Sequence, residues 1–158
     1  YSLGIYNRLG SIQIHSVISS NGNVGYDFYL YQDINIGIWN HIAMVHSDNN
    51  IEIFINGVSI GIQTGLTSGI FNSTASFVIG ARHLPQREFL DGSIDDVRVW
   101  NYKRTPSEII NYMNIELFGN EPGLMGYWKF SGDFLDYSPN GNHLTGVNSP
   151  TFSSDTPF

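Results

Sequence analysis

The dipeptide Asn56-Gly57 stands between two runs in which a branched aliphatic residue takes every second place, and this leaves the chain few options. Before it, Ile51, Ile53 and Ile55 alternate with Glu52 and Phe54; after it, Val58, Ile60 and Ile62 alternate with Ser59 and Gly61. Successive side chains of a strand point to opposite faces, and Asn-Gly tolerates the positive φ angles of a tight reversal. The pattern predicts a β-hairpin with one face against a core. Asp48-Asn49-Asn50 turns the chain into it from residues 39–46, which are apolar on both faces, as expected of a central strand.

Short strands and turn signals recur along the chain. Residues 1–5 and 11–15 read as strands around an Asn7-Arg8-Leu9-Gly10 turn, and residues 26–31 follow a Ser/Asn/Gly loop. Tyr29 and Tyr31 share a face of the latter strand, suited either to stacking on a sugar or to lining a core edge with wet hydroxyls. Further strands are expected at 77–79 and 124–130. The loop Ala81 to Phe89 carries Arg82, His83, Arg87 and Glu88, a candidate ligand loop or a solvated one.

Residues 94–100 predict another strand, with Asp95, Val97 and Val99 on one face and Asp96, Arg98 and Trp100 on the other. Asp96 and Arg98 then pair on a surface, which contributes little. Asp95 points the way two valines point, and a carboxylate there needs hydrogen-bond donors or a cation. Its oxygens suit Ca2+; equally, backbone N–H groups of the Asp91-Gly92 turn would satisfy it. Thr105-Pro106-Ser107-Glu108 is a capping box that opens one short helix near 106–113, with Ile109, Ile110 and Met113 as its apolar stripe. The expected role of this helix is a cap over one end of the β structure.

No linker or composition break divides residues 1–158, so a single domain is expected. Charged residues make up 13%, about half the usual share, so the surface relies on neutral polar side chains and suits a secreted or surface-exposed protein. The net charge of -7 and the lack of a basic stripe exclude nucleic acid as a natural partner. With no cysteine, disulfides and thiolate catalysis are excluded. No apolar run approaches the ~18 residues of a membrane-spanning helix, and residues 1–5 read as a strand rather than a secretory leader. Asn72-Ser73-Thr74 is a glycosylation sequon of small weight.

The ordered motifs go further. W-N-H-I-A-M-V from Trp39, I-E-I-F-I-N-G-V from Ile51, F-V-I-G from Phe77 and F-L-D-G-S-I-D-D-V-R-V-W-N-Y-K-R-T-P-S-E-I from Phe89 resemble laminin-G-like and pentraxin-like jelly-roll domains of the concanavalin A-like lectin/glucanase class. G-L-M-G-Y-W-K-F from Gly123 is similar to a strand of the same domains. The resemblance implies an all-β fold, a two-sheet antiparallel jelly-roll sandwich with one short helix. It also implies binding at a concave face or rim loops, often with Ca2+, and an Asp before the V-R-V strand as a ligand. That Asp is Asp95, with Asp96, Asp133 and Asp136 as lesser candidates. The usual opening strands of such a module are missing before Tyr1, which leaves room for a neighbouring module or subunit to complete the sheet.

Glucanases of the class carry an E-x-D-x-x-E strand, because hydrolysis needs two carboxylates at a set separation. No such strand occurs here, and no serine sits in a G-x-S-x-G turn. Catalysis is not expected. Two functions are: a recognition module for glycans or a protein surface, assisted by Ca2+, or a structural module of an adhesin, tandem-repeat surface protein or virion shell.

Overall fold

Alternation, turns and one helix cap account for most of the architecture. The computed structural model describes residues 2–8, 11–18, 26–30, 34–47, 49–65, 72, 74, 76–81 and 89–158. In chain order these form β1 (Ser2–Arg8), β2 (Ser11–Ile18), β3 (Tyr26–Leu30), β4 (Ile42–Ser47), β5 (Asn50–Ile55), β6 (Val58–Gln63), β7 (Val97–Trp100), α1 (Pro106–Tyr112) and β8 (Leu124–Trp128). All strand pairs are antiparallel, in sheets ordered β1-β2-β3, β4-β5-β6 and β7-β8. The described residues are thus β structure with one short helix.

They fall into two compact units, the first holding residues 1–77 and 105–113 and the second 78–104 and 114–158. In the first unit the hairpin forms as its residues dictate. Asn56 and Gly57 take φ of 49° and 80°, the left-handed pair that a two-residue turn requires, and Ile55 faces Val58 across it. Asn56 also ties the turn to the chain upstream. Its Oδ1 accepts the His41 N–H at 2.9 Å, and its own N–H donates to the His41 carbonyl at 2.8 Å.

Residues 39–46 were expected to be central, yet β4 is an outer strand of its described sheet and β5 lies in the middle. The apolar character of both faces has another cause: both faces of this sheet are covered. Ile51 and Ile53 are fully buried with Ile14 of β2, joined by Ile42, Met44 and Ile55. Val45 and Phe54 point the other way and bury Ile109 of α1. Burying each such aliphatic side chain contributes about 2 kcal/mol.

The helix begins as the capping box predicts. Glu108 N–H donates to Thr105 Oγ1 at 3.2 Å, and Thr105 N–H donates to Glu108 Oε2 at 2.7 Å. Rather than closing an end alone, α1 lies on a sheet face through Ile109. Its Ile110 and Met113 reach the hairpin tip, where a Cβ on Gly57 would meet Ile110 Cγ1 at 2.8 Å.

The strand expected at 77–79 does not form; those residues are irregular up to Gly80, whose carbonyl accepts Leu90 N–H at 2.9 Å. In the second unit β7 and β8 pair with Val97 opposite Trp128 and Val99 opposite Gly126. Leu117, Leu124 and Tyr127 form their buried cluster, with Trp100 against it.

Candidate functional site

The strand expected from residue 94 starts only at Val97, and the reason is Asp96. Its φ of 54° is left-handed, so the alternation of faces breaks there. Asp95 and Asp96, expected on opposite faces, instead line one pocket with Glu116, Tyr127, Lys129, Ser131, Thr156 and Phe158. The pocket holds about 260 Å3, counting its open mouth. All eight residues belong to the second unit.

Each charged group has a defined partner. Arg98 Nε donates to Asp96 Oδ1 at 3.0 Å, and Arg98 Nη2 donates both to Asp96 Oδ2 and to the Ile115 carbonyl. The two side chains are only 10% and 12% exposed, so the expected surface pair is a largely buried, two-pronged one. The Tyr127 hydroxyl also bonds to the Asp96 carboxylate and accepts Leu117 N–H at 3.1 Å. Arg98 lies 5.5 Å from the centre of the Tyr127 ring. Lys129 Nζ donates to Glu116 Oε1 at 2.5 Å and stands 4.7 Å from the Tyr137 ring centre.

Asp95 is the least engaged acid. Its Oδ1 accepts the Asp96 N–H at 2.9 Å, so the backbone donor anticipated at the Asp91-Gly92 turn comes from the next residue instead. Burial raises its pKa, as does the nearby Glu116 charge, while the Asp96 N–H pulls the other way. Burial likewise raises the Asp96 pKa, and Arg98 and Tyr127 offset only part of this. Burial also pushes the Tyr127 hydroxyl above its ordinary range, so it acts as a fixed hydrogen-bonding group.

Asp133 and Asp136 do not join this pocket. Asp133 accepts Leu135 N–H at 3.0 Å and the Tyr137 hydroxyl at 3.1 Å, closing its own turn. Asp136 is buried and accepts from Tyr127 N–H, Ser138 N–H, Asn142 N–H and the Ser138 hydroxyl, all at 2.7–2.9 Å. Burial alone would raise its pKa, yet these donors together outweigh it and hold the carboxyl below its usual range. Arg82, His83, Arg87 and Tyr31 lie outside the described residues, and Tyr29 is placed only as a β3 backbone position. Asn72 and Thr74 of the sequon are exposed.

Ca2+ takes about six to eight oxygens. The pocket offers one open Asp95 oxygen, two acids already paired to Arg98 and Lys129, and an ammonium that repels cations. Among the described residues no three acidic or histidine side chains stand together as a metal-holding group. On their own these residues do not fit a resident Ca2+.

Glu116, Lys129, Ser131, Thr156 and Phe158 were not singled out in the sequence as site residues. A partial signal existed for Lys129, which alternation along the expected 124–130 strand places on the same side as Tyr127. Glu116 and the tail carry no local signature, because only the folded chain brings them to Asp95.

A laminin G family model, described as the concanavalin A-like lectin/glucanases superfamily, matches residues 1–110. The chain belongs to that superfamily. The match starts earlier than the Trp39–Phe130 span of the motif resemblance, and it stops within α1. Among solved structures the chain is similar to residues 221–444 of an S-layer domain-containing protein from Clostridium thermocellum, at 23% identity and a TM-score of 0.45. That similarity covers 65% of this chain and 51% of the other, so the chain spans about half the length of the structure it matches. No curated protein matches it. Among the described residues no helix is long and apolar enough to cross a membrane.

Proposed function

We propose that the chain is a non-catalytic recognition module of a secreted or surface-exposed protein, built as a two-sheet jelly-roll sandwich, and that its Asp95 pocket takes carbohydrate. The observation that carries this reading is that one opening is lined by Asp95, which keeps an open carboxylate oxygen, by the hydroxyl-bearing residues Ser131 and Thr156 and by the aromatic Phe158. Sugars present hydroxyls that need such acceptors and donors, and C–H faces that pack on aromatic rings. Superfamily membership supports it. The largely buried pairing of Asp96 with Arg98 supports a binding role over acid–base chemistry, since that acid is engaged by a fixed cation. Calcium assistance rests on oxygen ligands supplied by the bound molecule, with Asp95 as the chain's contribution.

A glycan array probed with the purified chain, with Ca2+ and with a chelator, tests this. Binding that disappears in Asp95→Ala is the expected result. Failure to bind any glycan removes the carbohydrate reading, and a chelator-insensitive signal removes the calcium part alone.

A second reading, a structural module that assembles with a neighbour, is favoured by Ile36, Ile38, Val58 and Ile62 of the first unit, all more than half exposed. Sedimentation over a range of concentrations separates the two; a monomer at every concentration argues against assembly.

A further inference from the structure

Phe118 is 93% exposed, so its ring contributes almost nothing to the core, yet the backbone that carries it is tied on both sides. Glu121 turns back on the loop: its Oε1 accepts the Phe118 N–H and its Oε2 the Gly119 N–H, both at 2.9 Å. Just before the ring, Leu117 is buried and its N–H donates to the Tyr127 hydroxyl. Just after it, Gly119 takes a φ of 101° and lies so close to Tyr137 that a Cβ would stand 2.2 Å from the Tyr137 carbonyl oxygen. The loop therefore presents the ring to solvent on a fixed backbone, and a group fixed in advance loses little freedom on binding.

The loop also adjoins the Asp95 pocket. Glu116, which lines the pocket, is two residues from Phe118, about 7 Å of extended chain at most. Lys129, on the pocket wall, stands over the ring of the exposed Tyr137, and Tyr137 is the residue against which Gly119 is set. Pocket, Tyr137 and Phe118 follow one another within the second unit. We infer that Phe118 is a second sugar-stacking position beside the pocket, so that the module takes an oligosaccharide rather than a single sugar. Resting on the carbohydrate reading of the pocket, this second position sets the length of the ligand. The C–H face of a further sugar unit would cover apolar ring surface that is otherwise left in water, a gain of about tenfold in affinity.

Isothermal titration of the purified chain with glucose, mannose and N-acetylglucosamine, and with their di-, tri- and tetrasaccharides, tests this. For a sugar that binds, Kd is expected to fall about tenfold from the monosaccharide to the longer members. Phe118→Ala should keep the monosaccharide affinity and lose that gain, whereas Phe118→Trp should keep both. Because the ring is almost wholly exposed, thermal unfolding of Phe118→Ala should match wild type. An affinity that does not change with ligand length, or a gain that survives in Phe118→Ala, overturns the second position and leaves the pocket reading in place. Self-association that disappears in Phe118→Ala while sugar binding is unaltered overturns it too, and gives the ring to a protein contact. Absence of binding by every member, monosaccharides included, removes the carbohydrate reading and the second position with it.

Discussion

The carboxylate of Asp136 accepts the backbone N–H of Tyr127 at 2.8 Å, tying the loop after β8 to the middle of that strand. The same carboxylate holds Ser138 and Asn142, so one side chain organises the turn from 136 to 142. Asp136→Ala leaves three backbone N–H groups without this acceptor and is expected to cost about 3 kcal/mol, read from urea unfolding. The pH dependence has a definite sign. A carboxyl whose folded pKa lies below its unfolded value of ~3.9 adds stability above that value. It loses that stability as pH falls through the folded pKa. Wild-type and Asp136→Asn curves should therefore converge below about pH 4.

Asp95 behaves in the opposite way. Burial and the Glu116 charge raise its pKa, so the folded state holds the proton more tightly than the unfolded chain. Ionisation then costs stability, fully once the pH exceeds the folded pKa. Asp95→Asn keeps an oxygen for the Asp96 N–H and removes the charge. It should be at least as stable as wild type at pH 7, with an advantage that shrinks as the pH falls through the carboxylate range. Thermal unfolding across pH checks this; a marked loss of stability at pH 7 contradicts it.

Arg98→Met strands the Asp96 charge in a largely buried place and removes a donor from the Ile115 carbonyl. The expected loss is about 3 kcal/mol. Asp96→Asn combined with Arg98→Met should recover part of it, because no uncompensated charge then remains. A double variant as unstable as the single one would place the cost in the Ile115 bond instead.

The helix cap is a smaller and independent contribution. Thr105→Ala removes the acceptor for Glu108 N–H and is expected to cost about 1 kcal/mol, whereas Thr105→Ser should be close to wild type. Chemical denaturation of the three proteins resolves the difference.

The hairpin and the helix start were legible in the residues because both depend on local chemistry. Asn56-Gly57 demands a tight reversal, and Thr105 with Glu108 closes its own ring of hydrogen bonds. The pocket was less legible. Alternation placed Asp95 and Asp96 apart, and although aspartate adopts the left-handed conformation more readily than most residues, the sequence does not mark which aspartate does so. Their partners Glu116 and Lys129 arrive from other parts of the chain. Residues 39–46 mislead for a related reason: two-sided burial of a sheet and central position within it leave the same apolar pattern.

Helix α1 has a bearing on synthesis. It belongs with residues 1–77, but the ribosome makes it only after residues 78–104 of the other unit. Val45 and Phe54 therefore wait for Ile109, with their side of the sheet uncovered, while a stretch of the second unit is already outside the exit tunnel. The two units are interleaved in time as well as in sequence, and a nascent chain halted before residue 109 would present a sticky sheet to its surroundings.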